Sequence, residues 1–187
     1  MTKPIRQQIL VGGVGGQGVL FVSRLLAEAA ILRGLPVLTT ETHGMAQRGG
    51  TVVSHLKVGR FTSPMIRPGQ ADCLLALMPE NVAQQGLLLK ADAWVAVNGS
   101  GSAGDVTARP VFAVDASGLA AEIGNPDSMN LVLLGFALGR GPGTFKGHRP
   151  LFCSLEDLRS VLKERLAGRE RVLEMSLLAL EAGYGAV

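Results

Sequence analysis

The chain has 187 residues, of which 47% are hydrophobic and 18% are charged. This apolar content excludes a disordered chain, since a chain of this length can bury a core without disulfides or metals. The net charge of +3 and the 4% aromatic content do not favour a nucleic-acid-binding protein. No apolar run approaches the ~20 residues of a membrane span, and the first residues lack a secretory signal. We therefore expect a cytoplasmic protein that contacts neither nucleic acid nor membrane.

The first forty residues predict a strand, a glycine turn, a helix and a second strand. Residues 8–12 are short, apolar and β-branched, which is typical of a buried strand. Residues 17–33 carry apolar side chains at helical spacing, and Gly34 follows as a helix stop. Residues 36–40 form the second strand. A βαβ unit of this kind predicts a mostly parallel sheet.

The rest of the chain continues the alternation of strands and helices. Strands are predicted at 51–58, 72–78, 94–97 and 110–114, and helices at 80–89, from 127 or 128 to 138, 155–166 and 170–182. We therefore expect one domain over residues 1–187 of the α/β class. It would be a three-layer, Rossmann-like fold, with helices on both faces of an open, mostly parallel sheet. The two C-terminal helices, at about 154–183, are candidates for packing against a partner.

The turn after the first strand has the pattern G-x-G-x-x-G. Its glycines are Gly13, Gly15 and Gly18, and Gly16 and Gln17 occupy the last two x positions. One interpretation is a phosphate site at a helix N-terminus, as in dinucleotide-binding proteins. The other is that the glycines only allow the strand and helix to approach closely. Gln17 would reach across to another loop.

A second candidate region is the loop over residues 41–50. Its polar and glycine residues are Glu41, His43, Gln47, Arg48, Gly49 and Gly50. Arg48 could bind a phosphate or carboxylate through its planar fork, or form an ion pair with Glu41 that shapes the loop. We predict no catalytic residue, because His43 has no matched acid or nucleophile nearby in the sequence. We also predict no metal site, because His43 and His55 lack further ligands at a metal-binding spacing. Asn130, at the start of a buried helix, is a further candidate.

Four motifs occur in order along the chain: ILVGGVGGQGVL, ETHGMAQRGGTVVSHLKVG, ADCLLAL and SMNLVLLGFALG. Together they resemble the gamma subunit, or gamma domain, of 2-oxoacid:ferredoxin oxidoreductases. The second motif is most similar to the small subunit of indolepyruvate oxidoreductase. The resemblance covers most of residues 7–140 and returns weakly in the final helix.

The resemblance implies an oxidoreductase subunit that functions within a complex in anaerobic pyruvate or 2-oxoacid metabolism. Such an enzyme decarboxylates a 2-oxoacid, here a candidate arylpyruvate, to an acyl-CoA and passes electrons to ferredoxin. Thiamine diphosphate, Mg and [4Fe–4S] clusters would lie on a large partner subunit. Cys73 and Cys153 are too few to ligate a cluster, and the sequence has no GDG…N segment of the kind that holds thiamine diphosphate through a metal. The glycine turn and the 41–50 loop would contact either CoA or the partner.

Two further expectations concern the isolated chain. It should be inactive alone and form a homodimer, because its high apolar content indicates an interface. The alternatives are a stand-alone NAD(P)- or nucleotide-binding oxidoreductase and a non-catalytic ligand-sensing or assembly module.

Overall fold

The computed structural model describes residues 4–44, 50–99, 109–139 and 148–186. Six strands form one sheet. They are β1 (Gln7–Val14), β2 (Val37–His43), β3 (Thr51–Val58), β4 (Ala71–Ala76), β5 (Leu89–Asn98) and β6 (Val111–Val114). The helices are α1 (Val19–Leu32), α2 (Glu80–Gln85), α3 (Ala116–Glu122), α4 (Met129–Gly139), α5 (Leu155–Arg165) and α6 (Glu170–Gly185). Short 3₁₀ turns cover Gly86–Leu88 and Pro126–Ser128.

The sheet has the strand order β2-β3-β1-β4-β5-β6. Strand β3 is antiparallel to both of its neighbours, whereas β1, β4, β5 and β6 pair in parallel. The expectation of a mostly parallel sheet is confirmed. The antiparallel position of β3 was not predicted. It follows from the short 44–50 connection, because parallel neighbours need a crossover of a dozen or more residues.

The two faces of the sheet are covered by different elements. One face packs against α1, α4, α5 and α6 in the larger hydrophobic cluster, and the other packs against α2 and the 59–70 connection. Alternate residues of β1 serve the two clusters, since Ile9 and Val11 join the first and Leu10 joins the second. The expected three layers with helices on both faces are therefore present.

The two C-terminal helices pack against the core of this chain. Gly135 of α4 faces the carbonyl oxygen of Leu180, and Gly183 of α6 faces that of Val132, so a Cβ at either glycine would overlap backbone. The backbones of α4 and α6 therefore approach closely. The large hydrophobic side chains that remain exposed on α6 are Val172, Leu178 and Tyr184. Packing of these helices against a partner stays a prediction.

Two local predictions were wrong. Helix α3 was missed, because its sequence ASGLAAE is short and only weakly apolar; Asp115 starts it by accepting a hydrogen bond from the Gly118 backbone N–H at 2.8 Å. Strand β2 continues to His43, so Glu41 and His43 lie on a strand and not in a loop. Pairing with β3 outweighs their polar character. Within the described ranges, no helix is both long and apolar enough to span a lipid bilayer.

Candidate functional site

The glycine turn joins the carboxyl end of β1 to the N-terminus of α1. Gly15 and Gly16 are exposed, and a Cβ placed on either would meet no atom within 4 Å. Gly16 has φ +98° and Gly18 has φ +82°, a conformation that favours glycine. Gly18 occupies the N-cap of α1, so no side chain caps the helix. The first N–H groups of α1 therefore open onto the turn, where the helix dipole favours an anion.

Two amide side chains hold this turn in place. The Gln17 Oε1 accepts a hydrogen bond from the Val14 N–H at 2.9 Å, so Gln17 folds back onto its own turn. Its Oε1 is therefore used within the turn, and a contact of Gln17 with another loop stays a prediction. The Asn130 Nδ2 donates to the Gln17 carbonyl oxygen at 3.1 Å, and Asn130 is only 7% exposed. The start of α4 is thereby tied to the turn.

The four glycines of the turn divide between two roles. A Cβ on Gly13 would approach Val19 and Leu77, and a Cβ on Gly18 would overlap Asn130. These two positions require glycine for close packing. Gly15 and Gly16 have no such contact and leave open space. Close packing therefore explains Gly13 and Gly18, and a phosphate site at Gly15 and Gly16 stays a prediction.

The end of the 41–50 loop lies beside the turn, as expected. The Gly15 N–H donates to the Gly50 carbonyl oxygen at 3.1 Å. This hydrogen bond joins the segment before β3 to the segment after β1. Gln47, Arg48 and Gly49 lie outside the described residues.

Glu41 and His43 do not join this contact. They are exposed on β2 and pair with Ser54 and Val52 of β3. Since β3 lies between β2 and β1, two strand spacings, or roughly 10 Å, separate their backbones from that of β1. The predicted pairing of Glu41 with Arg48 stays a prediction.

A second group of amides lies below the turn and was not predicted. Asn81 of α2 is 2% exposed, and its Cβ lies 3.2 Å from the position that a Gly12 Cβ would occupy. Its Oδ1 accepts from the Met78 N–H at 3.2 Å, and its Nδ2 donates to Gln84 Oε1 at 3.3 Å. The sequence signal was an asparagine in the first turn of the helix predicted after Pro79. The described side chains that hold this edge of the sheet are therefore neutral amides.

The remaining candidate residues of the sequence have structural roles. His55 is 3% exposed, and its Nδ1 accepts from the Ile66 N–H at 3.3 Å. Burial, and then the charge of Lys57, lower the pKa of His55, so the ring is held neutral. Both cysteines are buried, which raises the pKa of Cys73 and raises that of Cys153 to about 12. In the described part of the chain, no group of three or more His, Cys, Asp or Glu side chains could hold a metal ion.

Comparison with known proteins identifies the family to which this fold and turn belong. The model of the pyruvate ferredoxin/flavodoxin oxidoreductase family matches residues 8–186. Indolepyruvate oxidoreductase subunit IorB of Archaeoglobus fulgidus is 32% identical, over 96% of this chain and 94% of that protein.

Two solved structures share the fold. One is a keto/oxoacid ferredoxin oxidoreductase gamma subunit from Geobacter sulfurreducens, with a TM-score of 0.72 and 23% identity over 96% of this chain and 97% of that one. The other is 2-oxoglutarate:ferredoxin oxidoreductase from Magnetococcus marinus with 2-oxoglutarate, coenzyme A and succinyl-CoA bound, with a TM-score of 0.76 and 21% identity. It matches 98% of this chain, which spans 31% of the length of that one.

The family match gives no support to a stand-alone NAD(P)-binding oxidoreductase. It confirms the resemblance carried by the GVGGQG and QRGG motifs. The chain therefore belongs to the pyruvate ferredoxin/flavodoxin oxidoreductase family, as a gamma-type or IorB-type subunit of a 2-oxoacid:ferredoxin oxidoreductase.

Proposed function

We propose that this subunit contributes the glycine turn and the adjoining 44–50 loop to a CoA-binding surface shared with a large partner subunit. The observation that carries the proposal is the open turn. Gly15 and Gly16 are exposed in front of an uncapped helix N-terminus, and the Gly50 carbonyl lies beside them. Backbone N–H groups and the helix dipole at such a place suit a phosphate group.

The charge of this surface favours a ligand held mainly by N–H groups. The side chains that fix the turn are amides, namely Gln17 and Asn130. We assign the cation of the site to Arg48, whose guanidinium would bind a phosphate in a bidentate manner. CoA bound in the related Magnetococcus marinus enzyme supports this class of ligand.

The redox centres belong, in this proposal, to the partner. The whole sequence has two cysteines, whereas a [4Fe–4S] cluster takes four thiolates. Both cysteines are buried, and the described residues form no metal-binding cluster. Two cysteines do not fit the cluster, and the described residues offer no group of carboxylates that would hold a Mg-bound thiamine diphosphate. Electrons would therefore reach ferredoxin only through the partner.

The substrate class that we propose is an arylpyruvate. The IorB relatives, named for indolepyruvate, support this choice. We place the complex in the cytoplasm and expect the isolated chain to form a homodimer. Exposed apolar side chains at the end of α1, Ile31 and Leu32, favour such association.

The sharpest test of the CoA surface is Gly15→Ala. A Cβ at Gly15 meets nothing within 4 Å and no positive φ is required there, so the fold should tolerate it. The methyl group would instead occupy part of the open space at the turn that, in this proposal, the phosphate enters. In the assembled enzyme, we expect the KM for CoA to rise about tenfold, equivalent to ~1.4 kcal/mol, with an unchanged melting temperature.

The matched control is Gly185→Ala, which also adds a methyl group into open space but lies in α6, away from the turn. It should change neither the KM for CoA nor the melting temperature. Weaker assembly of Gly15→Ala with an unchanged KM for CoA would assign the turn to the partner subunit. Full activity and assembly of Gly15→Ala would remove the turn from the site.

The subunit role has its own test. The purified chain, given indolepyruvate, thiamine diphosphate, CoA and a viologen dye, should reduce no dye. Addition of the large subunit should produce dye reduction that depends on CoA. Turnover by the chain alone would refute the assignment of the redox centres to the partner, and a preference for pyruvate would refute the substrate class.

A further inference from the structure

A cationic depression lies at the sheet edge opposite the glycine turn. Two adjoining cavities of about 400 and 310 Å³ share four lining residues, Arg6, Gln8, Phe61 and Gln70. Gln8 lies at the N-terminal end of β1, whereas the glycine turn follows the C-terminal end of the same strand. The depression is therefore distinct from the surface proposed for CoA.

Positive charge dominates the lining of these cavities. The cationic side chains are Arg6, Lys57, Arg67, Lys90 and Arg149, and the single carboxylate is that of Asp72. Asp72 is already engaged, because its Oδ1 pairs with Lys90 and its Oδ2 accepts from the Gln8 N–H at 2.7 Å. The other four cations take part in none of the ion pairs seen among the described residues.

Lys57 lines the larger of the two cavities. It is 7% exposed and lies opposite Gln8 in the β1–β3 register. Its Nζ is 5.2 Å from the centre of the Phe61 ring, and the Arg6 guanidinium lies 4.4 Å from the same ring. Burial, then Arg67 and Arg6, lower the pKa of Lys57. The side chain of Lys57 is largely covered, but its ammonium lines the cavity and is repelled by Arg67 and Arg6. A bound anion would relieve that repulsion.

The sequence of residues 67–70 favours the turn that carries Arg67. The Gln70 N–H donates to the Arg67 carbonyl oxygen at 3.2 Å, and Gly69 has φ +69°. Pro68 followed by Gly69 is the residue pair that a type II turn favours. The Gln8 Nε2 then donates to the Gln70 carbonyl oxygen at 2.9 Å. These bonds place the Arg67 turn at the rim of the cavity before any ligand arrives.

We propose that this depression binds a compact multivalent anion, a phosphate or diphosphate group, between Lys57 and the guanidinium groups of Arg6 and Arg67. Several arginines and a lysine around a concave site suit phosphate oxygens, which accept bidentate hydrogen bonds. The excess of cations over carboxylates favours a di- or trianion over a single carboxylate. A concave site with an ammonium in its wall also fits a small anion better than the flatter surface of an acidic protein.

The test uses the full chain with inorganic pyrophosphate and orthophosphate as probes, in isothermal titration calorimetry and thermal melting. Sodium chloride at equal ionic strength is the reference. We expect saturable pyrophosphate binding with a Kd of about 1 mM or tighter, weakening as salt rises. Lys57→Met and Arg67→Gln should each weaken binding about tenfold.

Arg171→Gln is the matched control, because it removes a cation from an exposed position on α6. It should bind the probes like the unmodified chain. Arg67 is exposed, so its variant should fold normally even if Lys57→Met does not. Absence of saturable binding, as expected if the depression instead receives an acidic surface of a partner, would overturn the proposal. Equal weakening by Arg171→Gln would overturn it as well.

Discussion

Replacement of Gly18 by alanine tests how the glycine turn is held to α4. Gly18 combines a positive φ of +82° with a side-chain position that the Asn130 Nδ2 already occupies. Alanine would therefore impose a left-handed conformation on an L-residue and also displace Asn130. The displaced amide would lose its hydrogen bond to the Gln17 carbonyl oxygen.

The two effects can be given separate magnitudes. The left-handed conformation costs about 1–2 kcal/mol for a residue with a Cβ. Loss of the hydrogen bond from a buried amide costs about 1–2 kcal/mol more. We expect Gly18→Ala to lower the free energy of unfolding by about 3 kcal/mol, which for a chain of this size lowers the melting temperature by about 6–12 °C. Gly16→Ala, with φ +98° and open space around its Cβ, should show only the first effect.

A double-mutant cycle with Asn130→Ala separates the steric effect from the conformational one. In urea denaturation followed by circular dichroism, Asn130→Ala alone should cost about 1–2 kcal/mol. The double variant should be no less stable than Gly18→Ala, because the hydrogen bond is already lost when the amide is displaced. Additive costs would show that Gly18 does not meet Asn130, and the described link between the turn and α4 would then be refuted.

Three further predictions concern the rest of the molecule. Gly183→Ala should lower the free energy of unfolding by about 2 kcal/mol, since overpacking between α4 and α6 exceeds the gain in helix propensity. The control Gly185→Ala, measured in the same melts, should change the free energy of unfolding by less than about 0.5 kcal/mol. Because the pKa of His55 is lowered in the folded chain, the unfolded chain binds a proton more readily, and stability should fall as the pH drops below about 6.5 and through the lower folded pKa. In His55→Gln, equilibrium unfolding measured from pH 8 to 5 should show a shallower fall in stability. An identical slope would contradict the neutral-ring assignment. Lys57→Met should raise the free energy of unfolding at neutral pH in anion-free buffer by about 0.5 kcal/mol, because it removes an ammonium that is repelled by Arg67 and Arg6. A loss of stability would indicate that the ammonium has a stabilising partner.

The local pattern of the sequence was sufficient for most of the elements and for the family. Strand β3 has the bounds predicted for it, and α1 ends where Gly34 takes φ +66°. Such elements follow from residues close in the chain, since apolar period and glycine position act over a few residues. The order of GVGGQG and QRGG motifs predicted the family that the comparisons confirm. The amphipathic pattern of α3 was too weak to predict a helix, and the polar residues at the end of β2 were predicted as a loop.

Only the tertiary structure decided which residues meet. It inserted β3 antiparallel between β1 and β2, moving Glu41 and His43 away from the turn that they were predicted to join. It also tied Asn130 to Gln17, 113 positions earlier in the chain, and brought Lys57 and Arg6 to one phenylalanine ring. Contacts of this kind depend on strand order and helix placement, which are set by burial of the whole core and not by the residues in contact.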